Sequence, residues 1–383
     1  MSNYIHTSSF KNINASTSML GFGAMRLPTL TDDNIDEMKA RQIIEKAYEL
    51  GVNYFDTGWF YHNYNGEKFL GSVLKQYERK SYYIATKMPT WEVNDVDQIS
   101  EIFNKQLINC QVNYFDFYLL HCVNENTFNS VEMIYSYLIS KKKDGYIHNL
   151  GFSFHGSPEL LEKLLNQYDW DFVQIQLNYI DWRDSKADLQ YRILSQREMP
   201  IIVMEPVRGG ELATLNQECI GILRKANRDS SVASWAIRYI LALPGILTIL
   251  SGMSNIDQVI DNVNTVNENR VLSMNEQKVI EKVVQKYKNS LLIPCTGCGY
   301  CLVCHNGVAI KKIFKAYNKY IISGNRIEFN ASYYSLRDDE MLNNCQQCSR
   351  CLNYCPQKID ISDCLNMISK KMFFSKITNS DEF

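Results

Sequence analysis

Eight of the twelve cysteines fall into two runs near the C-terminal end: Cys295, Cys298, Cys301 and Cys304 in CTGCGYCLVC, and Cys345, Cys348, Cys351 and Cys355 in CQQCSRCLNYCP. Two-residue spacers let successive thiolates converge on one centre, and soft sulfur ligands suit iron-sulfur chemistry. The competing assignment is a pair of zinc sites with four thiolates each. Such sites are usually assembled from two separated CxxC pairs, whereas here four cysteines follow one another, twice. A disulfide framework belongs to an oxidising compartment, and reduced metal-binding thiols to a cytosolic chain. The runs therefore point to two 4Fe-4S clusters, with all eight cysteines as ligands.

The second run, CxxCxxCxxxCP, resembles the bacterial two-cluster ferredoxin pattern, in which the fourth cysteine reaches the other cluster. That resemblance implies two sets, Cys295, Cys298 and Cys301 with Cys355, and Cys345, Cys348 and Cys351 with Cys304. The first run has a shorter last spacer, and His305 stands where proline usually follows. Cys110, Cys122, Cys219 and Cys364 lie outside both runs and read as small buried hydrophobes.

From residue 19 to about 265, short apolar β-branched runs alternate with longer amphipathic segments, the signature of parallel strands joined by helices. Strands are predicted at 19–24, 53–56, 82–87, 115–121, 148–153, 172–177, 201–205 and 247–251. Eight strand-helix units close naturally into an α/β (β/α)8 TIM barrel. An open doubly wound sheet is the alternative, but it normally carries GxGxxG after its first strand, and GFGAMR lacks the third glycine. Residues 1–290 are assigned to the barrel, closed by a helix at 275–288. Residues 291–383 are assigned to a small ferredoxin-like α-helical iron-sulfur domain with a helix at 310–321. So small a module draws much of its folding energy from its metal centres.

Reactive groups in such a barrel sit at the C-terminal ends of the strands. There the sequence places Asp56, Tyr61, Lys87 and His121. Taken singly they read as a turn residue, a core aromatic, a solvated strand end and a hydrogen-bonded core histidine. Together they match the aldo-keto reductase tetrad in type, order and placement. Residues 15–290 resemble that family, with GFGAMRLP, the glycine and serine of LGFSFHG, and SGMSNIDQVIDN in the expected places. With the cysteine module, the chain is similar to the branch carrying a C-terminal ferredoxin-type 4Fe-4S domain.

The resemblance implies NAD(P)H-dependent reduction of an aldehyde or ketone to an alcohol, or the reverse. Tyr61 is the implied general acid and base, its phenol acidified by Lys87. Asp56 holds Lys87 charged, and His121 donates a hydrogen bond to the carbonyl oxygen. The nicotinamide nucleotide, NADPH or NADH, is implied to contact the backbone of Gly23, Ala24 and Met25, the carboxamide-binding Ser153 and Gln174, and Met204 beneath the ring. Ser251, Gly252, Met253 and Ser254 follow its phosphates, and Gln258 and Asn262 its adenosine end. Three departures stand out: Phe154 where many relatives have asparagine, Met204 where an aromatic often stacks, and Asn255 where a basic residue commonly grips a 2'-phosphate. Arg208 is either a substitute for that basic residue or a surface side chain.

A one-electron cluster and a two-electron hydride do not couple directly without a further cofactor. Three roles for the clusters follow: structural staples, a redox switch, or a wire to an external ferredoxin-like electron partner. A second class of function also stays open, a nicotinamide-binding electron-transfer or redox-sensing protein without carbonyl turnover. With 40 basic and 42 acidic side chains the formal net charge is -2, which argues against nucleic acid as a partner. The N-terminal residues lack the build of a signal peptide and no long apolar run occurs, so a cytoplasmic location away from membranes is expected. Trp59, Phe60, Trp91, His155, Tyr179 and Trp182 in the strand-end loops suggest an apolar or sugar-stacking pocket, or rings that fill the barrel mouth.

Overall fold

A computed structural model describes residues 7–30, 34–288 and 292–374. Two strands, β1 (Thr7–Phe10) and β2 (Ile13–Ser18), form an antiparallel hairpin. Eight more follow: β3 (Leu20–Gly23), β4 (Tyr54–Asp56), β5 (Tyr83–Pro89), β6 (Phe115–Val123), β7 (Ile147–Phe154), β8 (Phe172–Gln176), β9 (Ile201–Met204) and β10 (Ile246–Ser251). They pair in parallel, in chain order, and β10 returns to β3 to close the barrel. All eight predicted strands are present, with ends displaced by no more than two residues.

The strands read as continuous apolar runs because both faces are covered; every residue of β6, FDFYLLHCV, is buried. One face fills the barrel interior with Tyr54, Phe117, Leu119, Phe172, Ile202 and Leu247. The other packs against helices such as Glu37–Glu49, which buries Ile43, Ile44 and Ala47, and Pro158–Gln167, which buries Leu160, Leu161 and Leu164. Each fully buried Leu or Ile contributes about 1.5–3 kcal/mol. Helix starts are capped by side chains: Asp36 accepts from Lys39 N, Asp95 from Gln98 N, Ser157 from Leu160 N and Ser231 from Ser234 N.

The hairpin is not among the predicted strands, since FKNINASTS is polar and alternates weakly. Tertiary contacts hold it instead. Ile13 packs into the barrel interior, and Thr17 Oγ1 donates to Leu247 O at the start of β10, at 3.0 Å.

The chain divides into two compact units, one taking residues up to Val207 and Ser230–Gln277, the other Arg208–Asp229 and the residues from Lys278 on. Within the second, the early segment is tied to later residues by Arg208 Nη1 donating to Tyr287 Oη at 2.9 Å and by a Lys286–Glu218 ion pair at 2.6 Å. Gly209, at φ 67°, fits where a Cβ would lie 2.2 Å from Thr296 O. Helices Ile310–Ser323, Arg326–Tyr333 and Ile361–Ser369 share a core that includes Ile313, Phe314, Tyr317, Phe329 and Leu365. No helix among the described residues is long and apolar enough to cross a membrane.

Candidate functional site

The parallel ladder brings strand ends together at one rim. Asp56 ends β4, Lys87 pairs with Leu119 across β5 and β6, and His121 lies opposite Pro89. Lys87 is 2 % exposed and donates to Asp56 Oδ1 at 2.6 Å and to Thr57 O. Its Nζ stands 5.0 Å from the Tyr61 ring centroid, and the Tyr61 and His121 rings are 5.8 Å apart. A Cβ on Gly58 would come within 3.1 Å of Tyr61 Cζ and 3.3 Å of His121 Cε1, so the bare glycine makes room for the two rings.

Burial works against both charges of the Asp56–Lys87 pair, raising the carboxyl and lowering the ammonium, and each charge offsets the loss for the other. Burial pushes the His121 imidazole well below its ordinary value, and the Lys87 charge adds to it. The ring is therefore neutral at neutral pH. Burial also carries His155 down to about 4.

Tyr61 corrects an expectation. The sequence predicts a phenol acidified by Lys87, whereas burial raises it well above its ordinary value, and the carboxylates of Asp56 and Glu205 push the same way against Arg26.

Beneath Lys87 lies a polar network that the sequence did not signal. The buried Glu67 carboxylate accepts from Thr86 Oγ1 and Gln106 Nε2, each at 2.6 Å, and Gln106 Nε2 also reaches Lys87 O at 3.0 Å. Glu67 and Gln106 come from separate helices, and nothing in either segment marks them as partners.

Of the residues assigned to nucleotide binding, Gly23, Ser153, Met204 and Ser251 lie at or next to the C-terminal ends of their strands. Ser153 and Gln174 are register neighbours on β7 and β8, both buried. Ser153 Oγ accepts from Cys122 N at 2.8 Å, which leaves its own proton for an acceptor. Gln174 Oε1 is buried without a hydrogen-bond partner among the described residues. Gly23 ends β3, where an added Cβ would meet Ser251 O at 3.5 Å, and Ala24, Met25 and Arg26 form a helical turn. Ala24 O lies 3.0 Å from His62 Nε2. Met204 ends β9 half-buried.

Asn262 Nδ2 donates to Ser251 Oγ at 2.9 Å, and Ser254 Oγ donates to Arg26 O at 2.8 Å. A Cβ on Gly252 would press on the Arg26 side chain, whose Cδ lies 3.0 Å from that position. The Met253 side chain is buried in the apolar core. Gln258 Oε1 accepts from Ser254 N at 2.7 Å, and Asn255 caps the helix Ile256–Glu268. Arg208 is not a surface side chain. It is buried in the second unit against Glu211 and Tyr287. An ion pair absent from the sequence reading joins Arg26 Nη2 to Glu205 Oε1 at 2.6 Å across 179 residues of chain.

The eight cysteines of the runs sort into two neighbourhoods. Burial raises the Cys301 thiol far above its ordinary range, with Cys298, Cys295 and Cys355 adding to it. Burial likewise raises Cys351, whose thiol neighbours are Cys345, Cys304 and Cys348. Burial takes Cys295 to about 11 against the pull of the Gly297 N–H. Cys355 is raised by burial while the N–H groups of Ile359, Gln357 and Lys358 donate toward it. Cys304, Cys345, Cys348 and Cys351 line one cavity with His305 and Arg350. Among the described residues, no three His, Cys, Asp or Glu side chains are grouped so as to hold a metal ion.

Comparison with known proteins bears on the barrel. L-galactose dehydrogenase of Arabidopsis thaliana is 25% identical over 307 residues, covering 73% of this chain and 94% of that protein. The uncharacterized oxidoreductase YqkF of Bacillus subtilis is 25% identical over 287 residues, covering 66% and 89%. The holo form of aldo-keto reductase AKR11C1 from Bacillus halodurans aligns with a TM-score of 0.62 at 26% identity, over 73% of this chain and 96% of that one. Residues 19–285 match the Aldo/keto reductase family. With the rim and its buried Asp56–Lys87 pair, that match over more than half of the sequence makes the chain a member of the aldo/keto reductase family of oxidoreductases.

Proposed function

We propose that the barrel reduces an aldehyde or ketone to an alcohol with NADPH or NADH, and that the eight clustered cysteines hold two 4Fe-4S clusters whose main role is to fold the second unit. The observation that carries the first part is the meeting of Asp56, Lys87, Tyr61 and His121 at the C-terminal rim. Support for the cofactor comes from the orphaned Gln174 Oε1 and the free proton of Ser153, a donor-acceptor pair suited to a carboxamide. The dehydrogenase relative fits the same chemistry.

The reduced nicotinamide supplies a hydride to the carbonyl carbon, and a proton must reach the oxygen. Neutral His121 donates a hydrogen bond to that oxygen and fixes its position. Tyr61 gives up its proton as negative charge develops. A phenol held above its ordinary pKa still protonates an alkoxide, which is far more basic, and in the reverse direction the phenolate takes that proton back. Lys87, held by Asp56, faces the phenolate that remains and stabilises it.

For the clusters, support lies in the neighbour sets. Cys295, Cys298, Cys301 and Cys355 form one, and Cys304, Cys345, Cys348 and Cys351 the other, the exchange that a two-cluster pattern requires. A four-iron cluster spreads its thiolates wider than a single ion, which accommodates the lack of a tight single-ion grouping. Peptide N–H groups facing Cys355 suit a thiolate ligand.

The test is turnover of a panel of aldehydes and ketones by anaerobically purified protein with each nucleotide. Reduction by the wild-type chain, lowered about 10²–10⁴-fold in Tyr61→Phe with nucleotide affinity retained, is the expected result. Protein that binds the nucleotide yet turns over no carbonyl sinks the proposal.

A further inference from the structure

Directly after Tyr61 the backbone does something unusual for ordinary side chains. His62, Asn63 and Tyr64 all take left-handed conformations, with φ of 52°, 54° and 65°. None is glycine, so each is strained and persists only where its surroundings hold it. One end is held by His62 Nε2 at Ala24 O. The other end is held by Tyr64, which is exposed, through a hydrogen bond from its hydroxyl to Glu92 Oε1 at 3.1 Å.

Glu92 gathers more than Tyr64. Trp59 Nε1 donates to its Oε2 at 2.9 Å and Trp91 Nε1 to its Oε1 at 3.2 Å. A single carboxylate in the turn after β5 thus fixes two indoles and a phenol, from that turn and from the one after β4. One of the rings it orients, that of Trp91, stands against the reacting groups, with Phe60 beside it. Trp91 lies 5.1 Å from the His121 ring and 5.5 Å from Phe60, and Phe60 lies 5.2 Å from Tyr61 and 5.5 Å from His121. Phe60 and Trp91 remain half-buried, so part of each ring is open to a ligand.

We propose that Glu92 is a positioning residue that sets substrate choice: by holding Trp91, with Trp59 and Tyr64 on the same carboxylate, it fixes the aromatic wall that Trp91 and Phe60 make beside Tyr61 and His121, and that wall selects carbonyl compounds carrying a flat apolar group. This rests on the carbonyl-reductase reading given above. A flat group stacks on fixed rings without an ordering penalty at binding, whereas a short alkyl chain gains little from them. The same clamp keeps the strained segment next to Tyr61 in its observed conformation.

The experiment compares wild-type protein with Glu92→Ala, Glu92→Gln and Tyr64→Phe in two ways. The first is tryptophan fluorescence, in which two of the five tryptophans report on the clamp. The second is the ratio of kcat/KM for benzaldehyde to that for butanal with NADPH. In Glu92→Ala the emission shifts to the red, acrylamide quenching increases, and the ratio falls about tenfold, the scale of one aromatic contact. Glu92→Gln, which keeps one acceptor oxygen and the same volume, recovers part of both signals, and Tyr64→Phe gives a smaller loss. Unchanged fluorescence in Glu92→Ala, or altered fluorescence with an unchanged ratio, overturns the proposal. If the wild-type chain reduces neither aldehyde, selection for a flat apolar group is overturned, the carbonyl-reductase reading is decided separately by the wider panel, and the fluorescence still decides whether the clamp exists.

Discussion

The barrel rim and the cysteine segments solve opposite problems. At the rim, most of the buried polar groups described above find protein partners: Lys87 lies between Asp56 and the Thr57 carbonyl, Asn262 bonds Ser251, and Glu67 accepts from two neighbours, while Gln174 Oε1 is left open. In the cysteine segments the short helical turns Tyr300–Val303 and Arg350–Tyr354 start from left-handed Gly299 and Ser349, with no side-chain cap. Several of their thiols are raised by burial. The first arrangement is set by packing. The second gathers acidic groups whose charged forms are disfavoured until something positive joins them. Preorganisation is a property of the rim, and ligand-dependent order is expected of the cysteine turns.

The largest effect that contrast predicts comes from removing metal. Anaerobically prepared protein should contain about eight irons per chain, two four-iron clusters. Chelation should then abolish hydrogen-exchange protection around Ile313, Phe314 and Tyr317 while β5 to β7 stay protected. Equal protection with and without iron would refute metal-dependent folding. The exchange of ligands sharpens this further: Cys355→Ser should lose the same electron paramagnetic resonance signal as Cys301→Ser, and Cys351→Ser the other one. Pairing of Cys355 with Cys351 would rule out the swapped sets.

At the rim the comparable change is Lys87→Met. It leaves the buried Asp56 carboxylate without its partner and should lower stability by about 3–5 kcal/mol in denaturant unfolding. Adding Asp56→Asn should return part of that stability, because the pair is coupled, without restoring turnover. A neutral effect of Lys87→Met would mean that the ion pair is not a strong element of the fold.

The two regions were also unequally legible. Alternating apolar runs and amphipathic segments revealed the eight barrel strands, because burial on both faces of a parallel sheet imposes a composition that polar loops lack. Chain order and strand ends located Asp56, Lys87 and His121. The hairpin escaped because its polar residues are held by Leu247, far along the chain. Arg26 with Glu205, Glu67 with Gln106, and Glu92 with its three aromatic donors were hidden for the same reason, since a partner distant in sequence leaves no local pattern. The phenol of Tyr61 departs from the sequence expectation because a list of residue types omits desolvation, the largest cause of its rise. Arg208 looked like a surface or phosphate-binding cation, but tertiary packing buries it against Glu211.

The barrel unit's own charges offer a smaller test of packing-set order. Burial works to raise the Glu276 carboxyl, yet the Ser273 N–H and the Arg238 guanidinium bring it from 4.5 down to about 2. Because the folded value lies below the unfolded one, ionisation favours the folded chain. That contribution is whole above pH 4.5 and lost as pH falls to about 2. Glu276→Gln should therefore unfold more easily than wild type at pH 7, with the gap closing toward pH 2. A gap that is constant across this range would assign the effect to packing rather than charge.

The smallest effect concerns Asn255, where a 2'-phosphate ligand was sought. Its Oδ1 accepts from Gln258 N at 2.9 Å, while the Gln258 side chain accepts from Ser254 N at 2.7 Å. The two side chains thereby satisfy two backbone donors at the start of the helix Ile256–Glu268, a service the cysteine turns lack. Asn255→Ala should cost about 1 kcal/mol of stability, and Asn255→Asp, which keeps the acceptor, much less. If instead Asn255→Ala left thermal unfolding unchanged and altered only the NADPH to NADH preference, the side chain would belong to the nucleotide rather than to the helix.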